Sequence, residues 1–227
     1  MSINANEFPT RIGYAFDQNT KELIYTESHY EQYSDETVHK SKVIYKDASD
    51  NIFAQKSVDF TKNKYMPEFS LQNDMTGHIE KTRFVESKYE VVFSKLQSNA
   101  KKEALINYPE DGISDAGFDN FIINHWEDLL EGEMFVREFL IPSMMDFVKF
   151  RIYQDDVVTE DNRKLRIINI EPNSFIIRAF AGTTKLFYDE SMPKLVKFDG
   201  VSNMRDKKGD NLKVTIQYEE IQKLALN

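Results

Sequence analysis

The sequence places two carboxylates around one imidazole at a spacing that permits chemistry, because Glu27, His29 and Glu31 occupy every second position. They fall in a predicted β-strand, where alternate side chains share a face, so all three point to the same side. Such a row can bind a divalent cation or pass a proton between an acid and a base. It can equally be a polar strand surface that pairs with Lys40 and Lys42 on the next strand. The residues alone leave both explanations open.

A further candidate is His125, which interrupts an apolar stripe immediately before the only tryptophan of the chain. A histidine buried there needs a hydrogen-bond partner, for which Glu27 and Asp119 are candidates. Arg151 lies on a later predicted strand. We expect Glu27, His29, His125 and Arg151 to form the polar rim of a binding site.

Composition narrows the partners and the chemistry. The 227 residues include 29 Lys and Arg against 38 Asp and Glu, a formal net charge of −9. This balance argues against nucleic acid as the main partner, because phosphate binding needs a basic face. The absence of cysteine excludes disulfides, thiolate metal ligands and cysteine nucleophiles. Neither Asp115-Ala116-Gly117 nor the acidic stretch 155–161 has the spacing of a phosphate loop or a calcium loop. We expect a monomer with no cofactor and no metal.

Most of the chain alternates between apolar and polar residues, which predicts β-strands separated by polar turns. In the first half the predicted strands are residues 11–17, 22–32, 36–46, 52–60 and 83–93. After a break with a short helix candidate at 100–105, the predicted strands are residues 133–141, 146–153, 165–171, 174–179, 184–189, 194–202 and 212–218. Because successive strands lie close together, the sheet is predicted to be mainly antiparallel.

One segment has helical periodicity instead. Its apolar and aromatic residues recur at i, i+3, i+4, i+7, i+8 and i+11, at Phe118, Phe121, Ile122, His125, Trp126 and Leu129. Ser114 or Asp115 suits the N-cap and Gly132 suits a C-terminal stop, which predicts a helix over residues 114–131. The broad aromatic stripe requires a layer that covers it, and the sheet is the available layer.

These elements predict one mainly β domain over residues 1–227. Its architecture is a single strongly curved antiparallel sheet, an unclosed half-barrel, with the helix on the concave face. A half-barrel of this width is often not filled by its own side chains, which leaves space for a ligand. The predicted ligand-binding residues of that cavity are Phe118, Phe121, Ile122, Trp126, Leu129, Phe139, Phe150 and Phe187. A fully packed aromatic core is the alternative.

The last strands resemble those of a known family. The segments concerned are Leu186-Phe187-Tyr188-Asp189, the stretch from Leu195 to Gly200, the turn Asp206-Lys207-Lys208-Gly209-Asp210-Asn211, and Val214-Thr215-Ile216. They resemble the terminal strands of the LolA/LolB-type lipoprotein carriers, which also run through an aspartate-bearing turn, a leucine-bearing strand and a D-x-x-G-N-like turn. Here Asp210 stands between Gly209 and Asn211, which departs from that pattern.

The whole chain also resembles a group of uncharacterised bacterial proteins with secretion leaders. The shared stretches are Tyr25-Thr26-Glu27-Ser28-His29, Asp115-Ala116-Gly117-Phe118-Asp119, Trp126-Glu127-Asp128-Leu129 and Gly200-Val201-Ser202-Asn203. The resemblance implies an unclosed barrel whose apolar concave side is filled or lidded by helices, a periplasmic home and a cavity for acyl chains. Ile3-Asn4-Ala5 is expected to be the remnant of a leader cleavage site, with an ordinary cytosolic N-terminus as the alternative.

These inferences converge on a periplasmic, non-enzymatic protein that binds a lipid or another apolar small molecule and makes transient contact with a membrane or a lipoprotein. Two alternatives stay open. The first is a hydrolase or metal-dependent enzyme that uses Glu27, His29 and Glu31. The second is a structural or partner-binding module of the bacterial envelope that works through a strand edge.

Overall fold

The computed structural model describes residues 8–34, 37–97 and 100–221, and the expected leader remnant Ile3-Asn4-Ala5 lies outside them. In this part of the chain, fifteen strands form one sheet. The first eight are β1 (Arg11–Asp17), β2 (Leu23–Ser34), β3 (Thr37–Asp47), β4 (Ile52–Asp59), β5 (Glu68–Asn73), β6 (His78–Val85), β7 (Lys88–Ser94) and β8 (Lys102–Ile106). The others are β9 (Gly112–Ile113), β10 (Phe135–Ile141), β11 (Asp146–Glu160), β12 (Arg163–Pro172), β13 (Thr184–Asp189), β14 (Lys194–Arg205) and β15 (Asn211–Glu220).

The strand order is β8-β7-β6-β5-β4-β3-β2-β1-β15-β14-β13-β12-β11-β10-β9. Neighbours run antiparallel, apart from the short parallel pair of β9 and β10. The first and last strands meet in the middle of the sheet, with Arg11 opposite Glu220 and Asp17 opposite Val214. The two edge strands, β8 and β9, are therefore consecutive in the sequence.

That connectivity forces the sheet to curve. In a flat sheet, fourteen spacings of about 4.8 Å would hold the edges about 67 Å apart. Residues 107–111, which link the edges, span at most about 21 Å. The edges approach through side chains, because Leu140 of β10 shares a core cluster with Tyr89 and Val91 of β7. Since no ladder in the described part of the chain joins β8 to β9, the sheet is an unclosed barrel, as the sequence predicted.

The predicted helix over residues 114–131 is shorter than expected and broken. It consists of α1 (Phe118–Asn124) and α2 (Trp126–Leu130), which are separated by His125 at φ −112° and ψ 25°. The prediction was wrong at the start, because residues 114–117 form a turn in which the Gly117 N–H donates to the Ser114 carbonyl. Gly117 is needed there, since a Cβ would lie 2.0 Å from the Tyr65 carbonyl oxygen. The predicted stop at Gly132 is confirmed by its φ of +91°.

A helix, α3 (Phe175–Ala181), appears where a strand was predicted. Residues 174–179 were expected to extend as a strand, but α3 occupies this position between β12 and β13. Gly182 follows its last turn at φ +76°. The apolar run of α3 resembles a buried strand in sequence, but it faces solvent. Phe175, Ile176 and Ile177 are 77%, 71% and 45% exposed.

Two further predictions in the first half of the chain were wrong. Residues 83–93 are not one strand but parts of β6 and β7, which are joined by a tight turn with Glu86 at φ +53°. The helix candidate at residues 100–105 lies in and beside β8, which pairs with β7. At residues 83–93 the chain turns back to pair with itself, and at residues 102–106 the backbone satisfies its hydrogen bonds in the sheet rather than within a helix.

The core lies on the concave side in two main clusters. In the first, Phe121, Ile122, Trp126 and Leu129 of α1 and α2 pack against the interior faces of β10–β14. The second fills the region beneath β1–β5, β14 and β15. The broken helix thus packs mainly on the second half of the sheet, and an open space remains between residues 115–120 and strands β1–β4, β14 and β15.

Candidate functional site

A cavity of about 170 Å³ lies between residues 115–120 and the interior faces of β1–β4, β14 and β15. It spans the line where β1 and β15 pair. Its walls are aliphatic and aromatic in part, with Val38, Val43, Tyr45, Val58, Phe60, Phe118, Leu195, Phe198, Val201 and Ile216. Its ionisable lining residues are Arg11 on β1, Glu27, His29 and Glu31 on β2, Lys56 on β4, Asp115 before α1 and Asp119 within α1.

Glu27 and His29 form the centre of this polar lining. The His29 Nε2 atom lies 3.1 Å from Glu27 Oε1, and both residues are buried. Gly13, opposite Glu27 in the β1–β2 ladder, leaves room for the carboxylate. A Cβ at Gly13 would lie 2.7 Å from Glu27 Cγ and 2.9 Å from Tyr218 Cε1. Glu27 and Tyr218 can therefore pack this closely only if residue 13 is a glycine.

The pKa values of this pair define its charge. Burial raises the pKa of Glu27, but the hydrogen bond and charge of His29, together with Tyr218 and Arg11, outweigh it and lower the pKa below its usual value. Burial and the positive charge of Arg11 lower the pKa of His29. At neutral pH the pair is a carboxylate that accepts a hydrogen bond from a neutral imidazole.

Arg11 closes one side of the same cluster. Its guanidinium carbon lies 4.8 Å from the centre of the Tyr218 ring. Its Nε atom is shielded from solvent and has no hydrogen-bond partner in the described part of the chain. A buried donor without an acceptor is costly, so such a group requires an explanation.

Three hydrogen bonds hold residues 115–119 against the sheet. Lys56 Nζ donates to Asp115 Oδ2 at 2.7 Å, and Asn203 donates to the same atom at 3.3 Å. The Tyr188 hydroxyl donates to Asp119 at 2.6 Å. These contacts fix the segment that forms one wall of the cavity.

The predicted ligand-binding residues of the helix divide between the cavity and the core. Phe118 lines the cavity. Phe121, Ile122, Trp126 and Leu129 belong to the packed core and are at most 6% exposed. Their role as ligand contacts stays a prediction, and it requires α1 and α2 to move.

The three predicted residues on the strands lie apart from this cavity. Phe139 and Phe150 pack against each other with ring centres 5.0 Å apart, at the margin of the core beneath the helices. Phe187 packs with Leu165 and Ile167 in a separate small cluster. The structure does not bring these residues together at one site.

Of the predicted polar rim, Glu27 and His29 line the cavity, whereas the other two residues lie elsewhere. His125 packs against the ring of Phe135 and pairs with Asp128 at 3.1 Å, so neither expected partner, Glu27 nor Asp119, satisfies it. Arg151 forms an ion pair with Glu171 on β12.

The predicted row of Glu27, His29 and Glu31 shares one face, as alternation requires, and all three residues line the cavity. Glu31 accepts a hydrogen bond from the Tyr33 hydroxyl at 2.6 Å. Within residues 8–34, 37–97 and 100–221, no group of three or more His, Asp or Glu side chains is arranged to hold a metal ion. The same residues include no helix that is long and apolar enough to cross a membrane.

Sequence reasoning missed Arg11, Lys56, Tyr218 and Asn203. Arg11 carried a local signal, because it alternates with Gly13 and Ala15 on the face that became the interior. Tyr218 carried none, since it meets Arg11 only through the pairing of the first strand with the last.

The fold and the site define an open, barrel-like β protein with an internal cavity of mixed polarity. No family model matches the chain, and no curated protein matches it. Two solved structures are similar to it over most of its length. A beta-barrel-like protein of the domain of unknown function DUF1849 from Brucella abortus has a TM-score of 0.44 at 6% identity, covering 95% of this chain and 97% of that one. A DUF1329 family protein from Desulfovibrio piger has a TM-score of 0.27 at 8% identity, with coverages of 96% and 85%.

Proposed function

We propose that this chain is a non-enzymatic binding protein for a small amphipathic or apolar molecule, such as one end of a lipid. The observation that carries the proposal is the cavity of about 170 Å³. Apolar walls that include Val43, Val58 and Phe118 suit a hydrocarbon segment, and the Glu27–His29 pair suits a polar end. Pockets of this mixed character are typical of small-molecule sites.

The size of the cavity limits what it accepts. At about 170 Å³ it is close to an engineered apolar cavity of about 150 Å³ that holds one benzene molecule. It therefore accommodates on the order of six to eight non-hydrogen atoms. Four buried methylenes would contribute about 3 kcal/mol, at about 0.8 kcal/mol each. A longer chain would have to leave through the open side.

Enclosing more of a larger lipid inside the protein requires residues 115–119 to move. Lys56, Asn203 and Tyr188 hold this segment through Asp115 and Asp119. Breaking those bonds would free α1 and uncover the aromatic residues beneath it. The predicted role of the helix as a lid depends on this step.

The proposal includes a place and partners for the protein. We propose the periplasm, on the basis of the resemblance to LolA/LolB-type carriers and secreted bacterial proteins. A transient contact with a membrane or lipoprotein fits the exposed side chains of α3, Phe175, Ile176 and Ile177, since contiguous exposed apolar side chains mark such surfaces.

The test is native mass spectrometry of the gently purified protein, followed by solvent extraction of whatever is bound. A bound mass that extracts as a fatty acid, or a mass shift when a fatty acid is added, supports the proposal. A clean mass that does not shift with added fatty acid or phospholipid contradicts it and favours the alternative of a partner-binding module.

A matched pair of variants ties binding to the cavity. Ser41 lines the cavity and is small, whereas its neighbour Lys42 is exposed and points to the opposite face of β3. Ser41→Phe should fill the space and abolish binding, and Lys42→Phe should leave it unchanged. Equal binding by wild type and Ser41→Phe would place the ligand elsewhere.

A further inference from the structure

Among the described residues that line the cavity, Arg11 is the charged side chain with a buried donor left unpaired. Within residues 8–34, 37–97 and 100–221 its Nε atom has no hydrogen-bond partner, and the carboxylates Glu27, Asp119 and Glu31 pair with other groups. The opposing lysine, Lys56, is already paired with Asp115 at 2.7 Å. The cavity wall thus carries one guanidinium whose Nε–H donor has no acceptor among the described residues.

The surroundings keep this cation charged without pairing with it directly. Burial acts to lower the pKa of Arg11, but Tyr218, Asp119, Glu31 and Glu27 outweigh it and raise the pKa further. The Tyr218 ring supports the guanidinium through a cation–π contact at 4.8 Å. Arg11 is therefore a fixed positive charge on the cavity wall.

The carboxylates of the cavity are occupied by the protein itself. Glu27 accepts from His29, Asp119 accepts from Tyr188 and Glu31 accepts from Tyr33. Each of these groups already has a donor, so a cationic ligand would compete with an existing hydrogen bond. An anionic ligand would instead supply the acceptor that the Arg11 Nε–H lacks.

We propose that Arg11 binds the head of a monocarboxylate amphiphile, such as a fatty acid, whose hydrocarbon part lies along Val43, Val58 and Phe118. A carboxylate matches the planar guanidinium fork with two parallel hydrogen bonds. A doubly charged phosphate monoester fits less well, because three carboxylates stand around the site and would repel it. This inference rests on the proposed function, since it names the ligand class of the same cavity.

The experiment compares three eight-carbon probes by isothermal titration calorimetry: octanoate, octan-1-ol and octylammonium. Wild type should bind octanoate about 10- to 100-fold more tightly than the alcohol, in line with a charge-assisted hydrogen bond. Octylammonium should bind most weakly. In Arg11→Met the preference for octanoate over the alcohol should disappear, while the alcohol still binds.

Arg83→Met is the matched control, because Arg83 lies on β6 outside the cavity and pairs with Glu90 at the surface. It should keep the wild-type preference. If Arg11→Met fails to fold, as judged by circular dichroism, Arg11→Gln provides a polar neutral replacement with the same expected loss of preference.

The outcomes distinguish failure of the role of Arg11 from failure of the proposed ligand-binding function. Equal binding of octanoate and octan-1-ol by wild type, or tightest binding of octylammonium, overturns the role of Arg11 and leaves the binding function standing. Failure of all three probes to bind overturns both. A preference for octanoate that survives in Arg11→Met and Arg11→Gln assigns the carboxylate to another residue and overturns the inference.

Discussion

Replacing Gly13 with alanine tests the packing on which the polar centre of the cavity depends. The new Cβ would lie 2.7 Å from Glu27 Cγ and 2.9 Å from Tyr218 Cε1, distances that real Cβ contacts do not reach. Either the Glu27 side chain or the Tyr218 ring must move. Moving Glu27 also displaces the acceptor of the His29 hydrogen bond.

The expected loss in free energy of unfolding of Gly13→Ala is the sum of three contributions. Overpacking costs about 1–3 kcal/mol, and a weakened buried hydrogen bond adds about 1 kcal/mol. The alanine also lowers the conformational entropy of the unfolded chain, which stabilises the folded protein by about 0.4–1 kcal/mol. We expect Gly13→Ala to lower the free energy of unfolding by about 2 kcal/mol, which in a domain of this size lowers Tm by about 4–8 °C.

Thermal and urea unfolding, followed by circular dichroism, measure this loss. A double-mutant cycle with Glu27→Ala identifies its cause, because that variant removes the Cγ and Oε1 atoms that the new methyl meets. The cost of Gly13→Ala should fall by at least about 1 kcal/mol in the Glu27→Ala background. A loss below about 0.5 kcal/mol, or the same loss in both backgrounds, would refute the packing argument.

Three other predictions concern charge, the cavity wall and the surface. The pKa of His29 is lowered from 6.5 in the folded state, so the unfolded chain binds the proton more readily. Wild type should therefore lose stability relative to His29→Gln as the pH falls below 6.5, by at most about 1.4 kcal/mol per pH unit. The same pH dependence of the free energy of urea unfolding in both proteins between pH 5 and 7.5 would contradict this. Lys56→Met removes the tie to Asp115 and should raise the rate of octanoate release several-fold in stopped-flow displacement, an expectation that an unchanged rate would exclude. Replacing the three exposed apolar side chains of α3 with serine should weaken binding to phospholipid vesicles in a flotation assay while changing stability by less than about 0.5 kcal/mol, and equal flotation would remove α3 as the contact surface.

The fold class could be predicted because its determinants are local. Alternating burial and polar turns recur along the chain, and the turn before β15 behaves as its sequence indicates. There Asp206 accepts from the Lys208 and Asp210 N–H groups at 2.8 and 2.9 Å, and Gly209 adopts φ +82°. The stripe from Phe118 to Leu129 likewise packs on the sheet, since its period matches the helical repeat.

The errors occurred where context outweighed the local pattern. The apolar run of Phe175–Ile177 has the composition of a buried strand, yet it forms an exposed helix between β12 and β13. The helix over Phe118–Leu130 breaks at His125, which no local residue signalled. Propensity is a weak prior when neighbouring elements decide whether a segment pairs or packs.

The candidate site was only partly predictable for a different reason. Glu27 and His29 were identified because two residues on one strand share a face at a known spacing. Arg11 and Tyr218 come together only through the ladder of β1 with β15. The sequence contains no marker for that pairing, so the position of Arg11 in the site could not be predicted without the strand order of the sheet.

The pairing of β1 with β15 has a consequence for how the protein is made. β15 follows the other fourteen strands in the chain, and the cavity wall includes Arg11 from β1 together with Ile216 and Tyr218 from β15. During synthesis one edge of β1 stays unpaired until β15 has left the ribosome. That edge can therefore pair with a wrong strand for most of translation. A ligand that bridges the two strands would bind only the finished sheet, and it would favour completed molecules over truncated ones by mass action.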